Sequence, residues 1–279
     1  MTKPKYLPVT TNPEAPDPLI DRYFLYIDIL GFADLVESAP SRVADLYEVI
    51  STLNAHQHQS FGTIVFSDTI LIYPKFEAGM GERADAYFIM YLCEFAQDLL
   101  YRLRNRDIYF RAVLTQGKFT HYFLDAIPCF YGSALIDAYR SEKKIKAIGL
   151  FMDRRCSPHN QIFRTGAFND RFEFVYLWQS LEEFTPHGIY EFPYPDASIF
   201  SDTDLPWKLA EDAVILENIA RNRNSTDRAI SEKHSNTWKL VYARYPAILR
   251  ELEKANFHPR VFCPKLDWTE YITRARALD

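Results

Sequence analysis

The sequence is short of three things. Its 279 residues include only 4 cysteines and 9 glycines, and no apolar run approaches the ~18 residues of a membrane span. Cys93, Cys129, Cys156 and Cys263 stand far apart with no Cys-x-x-Cys pair. That spacing points to neither a zinc ribbon nor a disulfide framework and fits free thiols in a reducing cytosol. So few glycines argue against flexible Gly-rich linkers. A basic excess is also missing: Lys and Arg number 32 against 37 Asp and Glu, a net charge of −5. Neither nucleic acid nor a membrane is therefore expected as a partner. The opening stretch has no long apolar core and carries five prolines, which argues against a secretory signal; residues 1–21 are expected to form a flexible arm. The expected setting is cytoplasmic.

What is present favours a packed sheet. Hydrophobic residues make up 48% of the chain and aromatics 15%, with 21 Phe and 18 Tyr. A chain of this length buries roughly 75% of its unfolded surface, so the core needs no staples. Tyr23 to Leu30 reads as a buried strand ended by Gly31, before a helix with Val43, Leu46, Tyr47, Ile50 and Leu53 at helical spacing. Thr63 to Phe66 and Thr69 to Tyr73 read as a hairpin, and Ala84 to Arg104 as a long amphipathic helix. From Ile108 a strand is expected to end at Gly117, with a hairpin partner in Phe119 to Leu124 and a helix from Ser133 through about Lys144. Further strands are expected at 147–153 and 172–178, then helices at Trp207 to Ala220 and Trp238 to Ala255. The pattern is α+β, an antiparallel-rich mixed sheet flanked by helices. A sheet domain at 22–190 is followed by a helical C-terminal extension at 191–279, expected to pack on it.

Two residues break this pattern. Asp28 interrupts the apolar stretch YFLYIDILGF, and Asp68 interrupts the β-branched run TIVFSDTILIY. An ionised carboxylate is seldom buried without a cation, a hydrogen-bond donor or a raised pKa. Two such acids on core strands fit a shared site for a hard divalent cation, Mg2+ or Mn2+, of the kind that handles nucleotide phosphates. Capping of turns, or pairing with core arginines, explains them equally well from spacing alone.

Four segments in order resemble class III nucleotidyl cyclases, the adenylate and guanylate cyclase catalytic domain. FLYIDILGF resembles the first strand, in which a metal-binding Asp precedes a Gly-Phe turn, and FSDTI the hairpin carrying the second metal ligand, with Ser67 where the family has Gly. FRAVLTQG resembles the strand whose arginine binds triphosphate, at Arg111; FYGSALIDAYR resembles the helix whose arginine stabilises the transition state, at Arg140. The resemblance spans about residues 22 to 180. It implies a ferredoxin-like palm fold, two Mg2+ or Mn2+ ions on Asp28, Asp68 and the Ile29 backbone, and a phosphate cradle at Ile29, Gly31 and Phe32. It also implies a head-to-tail homodimer with active sites at the interface. Read alone, Arg111 also fits a strand arginine paired with an acid, and Arg140 a solvated helix charge.

The departures narrow the reading. Ile136 stands where the family has a ribose-orienting Asn, so that contact is either lost or supplied by a neighbour such as Asp137; Ile64 and Cys129 stand at the purine-reading slots. Ile64 neither donates nor accepts a hydrogen bond. The chain is similar to the pyrimidine cyclases of bacterial anti-phage signalling (the Pycsar type), whose degenerate helix is seen here as Gly132, Ala138, Tyr139 and Glu142. That similarity implies conversion of UTP to 3′,5′-cyclic UMP and pyrophosphate, with an effector that responds to the product. CTP with cyclic CMP is the alternative, and so is a nucleotide-binding pseudo-cyclase. Tyr131 and Tyr139 are candidates for the base pocket. His56 and His58, with no third ligand nearby, read as a polar linker, and the absence of Gly-Gly before Asp68 disfavours a diguanylate cyclase.

Overall fold

The computed structural model describes residues 18–277, so most of the proposed 1–21 arm lies outside the described residues. The first strand, β1 (Ile20–Leu30), begins three residues earlier than its apolar run, because Ile20, Asp21 and Arg22 pair with Phe119, Lys118 and Gly117. Arg22 is buried by donating to the carbonyls of Phe119 and Pro74. There follow α1 (Phe32–Ser38), α2 (Pro40–Ser51), a single turn α3 (Asn54–Gln57), the hairpin β2 (Phe61–Phe66) and β3 (Thr69–Pro74), and α4 (Glu82–Leu103). Then come β4 (Tyr109–Leu124), β5 (Ile127–Tyr131), α5 (Ser133–Glu142), β6 (Gly149–Asp153), β7 (Thr165–Ala167) and β8 (Phe172–Val175). The chain closes with α6 (Ala197–Ser201), α7 (Leu205–Asn222), α8 (Arg228–Arg244), α9 (Pro246–Lys254) and α10 (Thr269–Ala275).

The strands form one sheet in the order β2-β3-β1-β4-β6-β8-β7, with β5 paired to the outer half of β4. Only the β4–β6 pairing is parallel. The expected α+β architecture, an antiparallel-rich sheet with helices on both faces, is what the structure contains. Side chains alternate across a strand, so β1 serves two cores. Tyr23, Leu25, Ile27 and Ile29 pack with Leu46 and Ile50 of α2 and with Phe88, Leu92 and Leu99 of α4. Phe24 and Tyr26 pack on the opposite face with Ala134 and Ala138 of α5 and with Leu209, Trp238 and Leu249 of the C-terminal helices. Asp28 belongs by register to that second face.

Three expectations shift. β4 does not end at Gly117 but runs unbroken to Leu124, and its partner is β5. Gly117 is there for space: a Cβ would meet the Ala134 backbone nitrogen and the Ser133 Oγ at 3.3 Å, so glycine lets the start of α5 lie against the strand. The helix expected over Trp238 to Ala255 is two helices, because Pro246 has no N–H and Tyr245 before it leaves helical geometry at φ −120°, ψ 49°. The strand expected at 172–178 stops at Val175, where Leu177 and Trp178 turn into the core. Among the described residues no helix is long and apolar enough to cross a membrane.

Candidate active site

Strand register puts the first acid opposite the first arginine. Asp28 pairs with Thr69 of β3 on one side and with Arg111 of β4 on the other. The Arg111 Nη2 donates to the Asp28 Oδ2 at 3.5 Å, and the Asp28 side chain is only 20% exposed. Burial pushes the Asp28 carboxyl up to about 6; Arg111 opposes this and the nearby charge of Asp68 adds to it. Burial thus costs the ionised form more than the nearby cations Arg111, Lys233 and Lys143 return.

Arg111 is not a free phosphate ligand. It forms an ion pair with Glu142, the last residue of α5, and its Nη1 donates to the Ile145 carbonyl. Both side chains of that pair are below 10% exposed. The strand arginine paired with an acid is thus what the structure holds, and Glu142 is the partner. Four residues of α5 face inward at helical spacing, Ala134, Ala138, Ser141 and Glu142; the two alanines let the helix sit close to the sheet while Glu142 reaches Arg111.

The second acid sits at the tip of the β2–β3 hairpin, with Ser67 at φ 51°. Glycine adopts that left-handed geometry at lower cost; here the Tyr47 hydroxyl donates to the Ser67 carbonyl at 2.9 Å and holds the turn. The tip is tied to β1, since the Ile29 N–H donates to the Asp68 carbonyl at 2.9 Å. Asp28 and Asp68 are thereby brought to one end of two neighbouring strands and interact electrostatically. Gly31 follows with φ 73° and starts α1 at Phe32, whose ring meets Tyr47 edge-on. Among the described residues no group of three or more His, Cys, Asp or Glu gathers in metal-holding geometry. The donor set on offer is two carboxylates and the Ile29 carbonyl. These hard oxygens, together with the raised Asp28 carboxyl, fit Mg2+ or Mn2+, with water or phosphate completing the shell.

The remaining candidates lie apart from this pair. Arg140 is exposed on the outer face of α5, with no hydrogen bond or ion pair among the described residues. Ile136 on the same face is 52% exposed, while Ile64 is buried within β2. Cys129 is half-buried in β5 opposite Tyr122, and Tyr131 is 50% exposed at the end of that strand. Asp137 is already committed: Arg171 binds it with two nitrogens, Arg155 donates to it at 3.3 Å, and Thr115 lies beside it. It is not available to replace the missing asparagine. The same two arginines hold Asp153, whose carboxyl drops to about 2 under their hydrogen bonds despite its burial. Sequence reasoning missed this network and the Arg111–Glu142 pair, because partners from distant segments leave no local spacing signal.

No family model matches the sequence, and no curated protein matches it. Solved structures similar to it include a non-canonical dimeric guanylyl cyclase domain of a fusion protein from the aquatic fungus Blastocladiella emersonii. That match has 16% identity and a TM-score of 0.45, and covers 56% of this chain and 94% of that one. A bacterial light-regulated adenylyl cyclase matches at 15% identity and TM-score 0.45, over 61% of this chain and 55% of the other. A class III adenylyl cyclase-like ATP-binding protein from Pseudomonas aeruginosa matches at 14% identity and TM-score 0.37, over 51% and 35%.

Proposed function

We propose that the protein is a metal-dependent nucleotide cyclase that converts UTP to 3′,5′-cyclic UMP and pyrophosphate. The observation that carries this reading is the clamp between β1 and the β2–β3 tip. It brings Asp28 and Asp68 together, with the Asp28 carboxyl raised to about 6 by burial and by the charge of Asp68. When bound, divalent ions on these acids would lower the pKa of the ribose 3′-hydroxyl and screen the phosphate charge.

In the reaction the 3′-oxygen forms a bond to the α-phosphorus, the bond from that phosphorus to the bridging oxygen of pyrophosphate breaks, and the hydroxyl proton leaves to solvent. The chain's own residues would divide the work. Asp28 and Asp68 would hold the divalent ions, whose charge attracts the phosphate end of the substrate. Arg111 touches Asp28 rather than phosphate, so it is a positioning residue whose own register is fixed by Glu142. Arg140, exposed and without a hydrogen bond or ion pair among the described residues, is suited to reach a site on a second copy and to neutralise charge in the transition state. The exposed apolar side chains Phe123, Leu124, Ile127, Tyr131, Ile136 and Tyr139 support a homodimer through the β4–β5 arm and α5. Ile64 gives no purine-reading hydrogen bond, which favours a pyrimidine base. A role in anti-phage signalling, with an effector that binds the cyclic product in the cytoplasm, follows from the resemblance of the α5 segment alone.

One observation favours a second reading, a nucleotide-binding module without turnover. Ile136 offers no polar atom to a ribose, and Asp137 is locked to Arg171. Incubating the pure protein with each of the four ribonucleoside triphosphates and Mn2+, then identifying products by mass, decides between them. The cyclase reading expects cyclic UMP as the main product. Cyclic CMP in its place would move the substrate to CTP, and no cyclic product from any of the four would leave the binding module.

A further inference from the structure

The C-terminal helices, which the resemblance does not cover, pack against the strand end beside the candidate site. Thr237 of α8 is fully buried against the start of β6: the Ile148 N–H donates to its hydroxyl at 2.8 Å, and that hydroxyl donates to the Ile148 carbonyl at 3.0 Å. Asn236 beside it donates to the Lys146 carbonyl at 2.8 Å. Gly149, the next residue of β6, is the register partner of Arg111. The inner face of α8 is therefore fixed over the strand end that carries the arginine and, one strand further, Asp28.

Lys233 lies one helical turn before Thr237, and residues four apart share a helix face. It is half-buried and makes no hydrogen bond and no ion pair among the described residues. Its charge acts on Asp28 and Arg111. Burial holds the ammonium below the usual lysine range, and the cations Arg111 and Lys146 add to that effect; Asp28 and Asp227 only offset it. Glu142, the acid on Arg111, is paired there. A lysine on a fixed helix, with no hydrogen-bond acceptor or ion-pair partner among the described residues and the candidate metal acids nearby, is poised for an anion.

We propose that Lys233 binds the oligophosphate chain of the nucleotide, so that α8 forms one wall of the active site. The inference rests on the reading of Asp28 and Asp68 as a nucleoside triphosphate site, and it adds a ligand from outside the sheet domain. A phosphate oxygen would take the place that no protein acceptor fills, and the C-terminal helices would then be required for substrate binding and not only for packing.

The test uses the full chain and inorganic tripolyphosphate with Mg2+, followed by titration calorimetry, beside steady-state kinetics with UTP. Lys233→Met is expected to weaken tripolyphosphate binding about tenfold or more, the range of one charged hydrogen bond. It should raise KM for UTP with a smaller change in kcat. Lys233→Arg should bind within about threefold of the parent, and Lys239→Met, an exposed lysine on the same helix, should match it. Melting curves show that each variant is folded, and Lys233→Gln serves as a second neutral variant. The proposal is overturned if Lys233→Met or Lys233→Gln binds tripolyphosphate as the parent does, if Lys239→Met loses as much, or if the parent binds none. Cyclic product with unchanged KM in the Lys233 variants would remove only this inference. Lys233-dependent binding without any cyclic product would remove only the cyclase reading.

Discussion

Asp28 and Arg111 are direct partners across the β1–β4 ladder, with the guanidinium Nη2 3.5 Å from the carboxylate Oδ2. The pair is long for a salt bridge because Arg111 leans the other way, onto Glu142. Arg111 is the one side-chain donor to Asp28 among the described residues, and it is shared with Glu142.

One consequence appears in pH dependence. A carboxyl raised to about 6 is protonated below that value and then competes poorly for a cation. Metal-dependent turnover should fall about tenfold per pH unit below 6, as one proton displaces the ion. Without metal the same shift acts on stability. The folded value lies above the unfolded one, so the stabilising contribution is complete below about pH 4 and is lost as pH rises through 6. Asp28→Asn should therefore raise the stability of the metal-free protein at pH 8, on the order of 2 kcal/mol, with the gain vanishing near pH 4. Denaturant titrations at the two pH values check this, and equal gains at both would contradict it.

Glu142 should matter for folding. Its side chain is 4% exposed and its partner 9%, and breaking a buried pair strands the remaining charge. Glu142→Gln should cost about 3 kcal/mol. At about pH 5, where Asp28 is protonated, changing both partners to apolar residues, Arg111→Met with Glu142→Leu, should cost less stability than Glu142→Gln alone, because no buried charge is then left behind. Chemical denaturation of the three proteins measures this; a double variant weaker than Glu142→Gln would contradict it.

Asp212 gives a second pH effect away from the site. It is fully buried in α7, where the Tyr101 hydroxyl of α4 donates to it at 2.5 Å and the Ser180 hydroxyl also donates to it. Burial raises its carboxyl to about 7 despite these two donors. Stability should decline as pH rises from about 4 toward 7 and level off above, since the folded form holds a proton that the unfolded form releases. Asp212→Asn keeps an acceptor for the hydroxyls and should flatten that slope. An unchanged slope in the variant would rule Asp212 out as its source.

Arg140 has no partner among the described residues of its own chain, whereas Asp28 sits inside the fold. If sites are shared between two copies, mixing inactive Asp28→Ala chains with inactive Arg140→Ala chains should restore about a quarter of parental activity. Half the dimers are then mixed, and each mixed dimer has one intact site of two. No recovery after subunit exchange would place Arg140 in its own chain's site or outside catalysis.

The parts legible in sequence were those whose signal is local. Asp28 and Asp68 stood out because a charge in an apolar strand breaks a period-two pattern, and the hairpin turn at Ser67 lay between two β-branched runs. Gly117 misled because a glycine inside a strand looks like a terminator until the helix packed against it is seen. Pro246 was a readable helix break whose weight was missed. The Arg111–Glu142 pair, the Asp137–Arg171 lock and the approach of Lys233 join segments far apart in the chain. Only tertiary packing brings such groups together, and no periodicity records it.

The most direct measurement is a crystal soaked with Mn2+ and a non-cyclisable analogue of UTP, read by anomalous scattering. The account predicts manganese peaks between the carboxylates of Asp28 and Asp68, against the phosphates, and their loss in Asp68→Asn crystals. Phosphates bound with no manganese at either carboxylate, or the same peaks in Asp68→Asn, would contradict it.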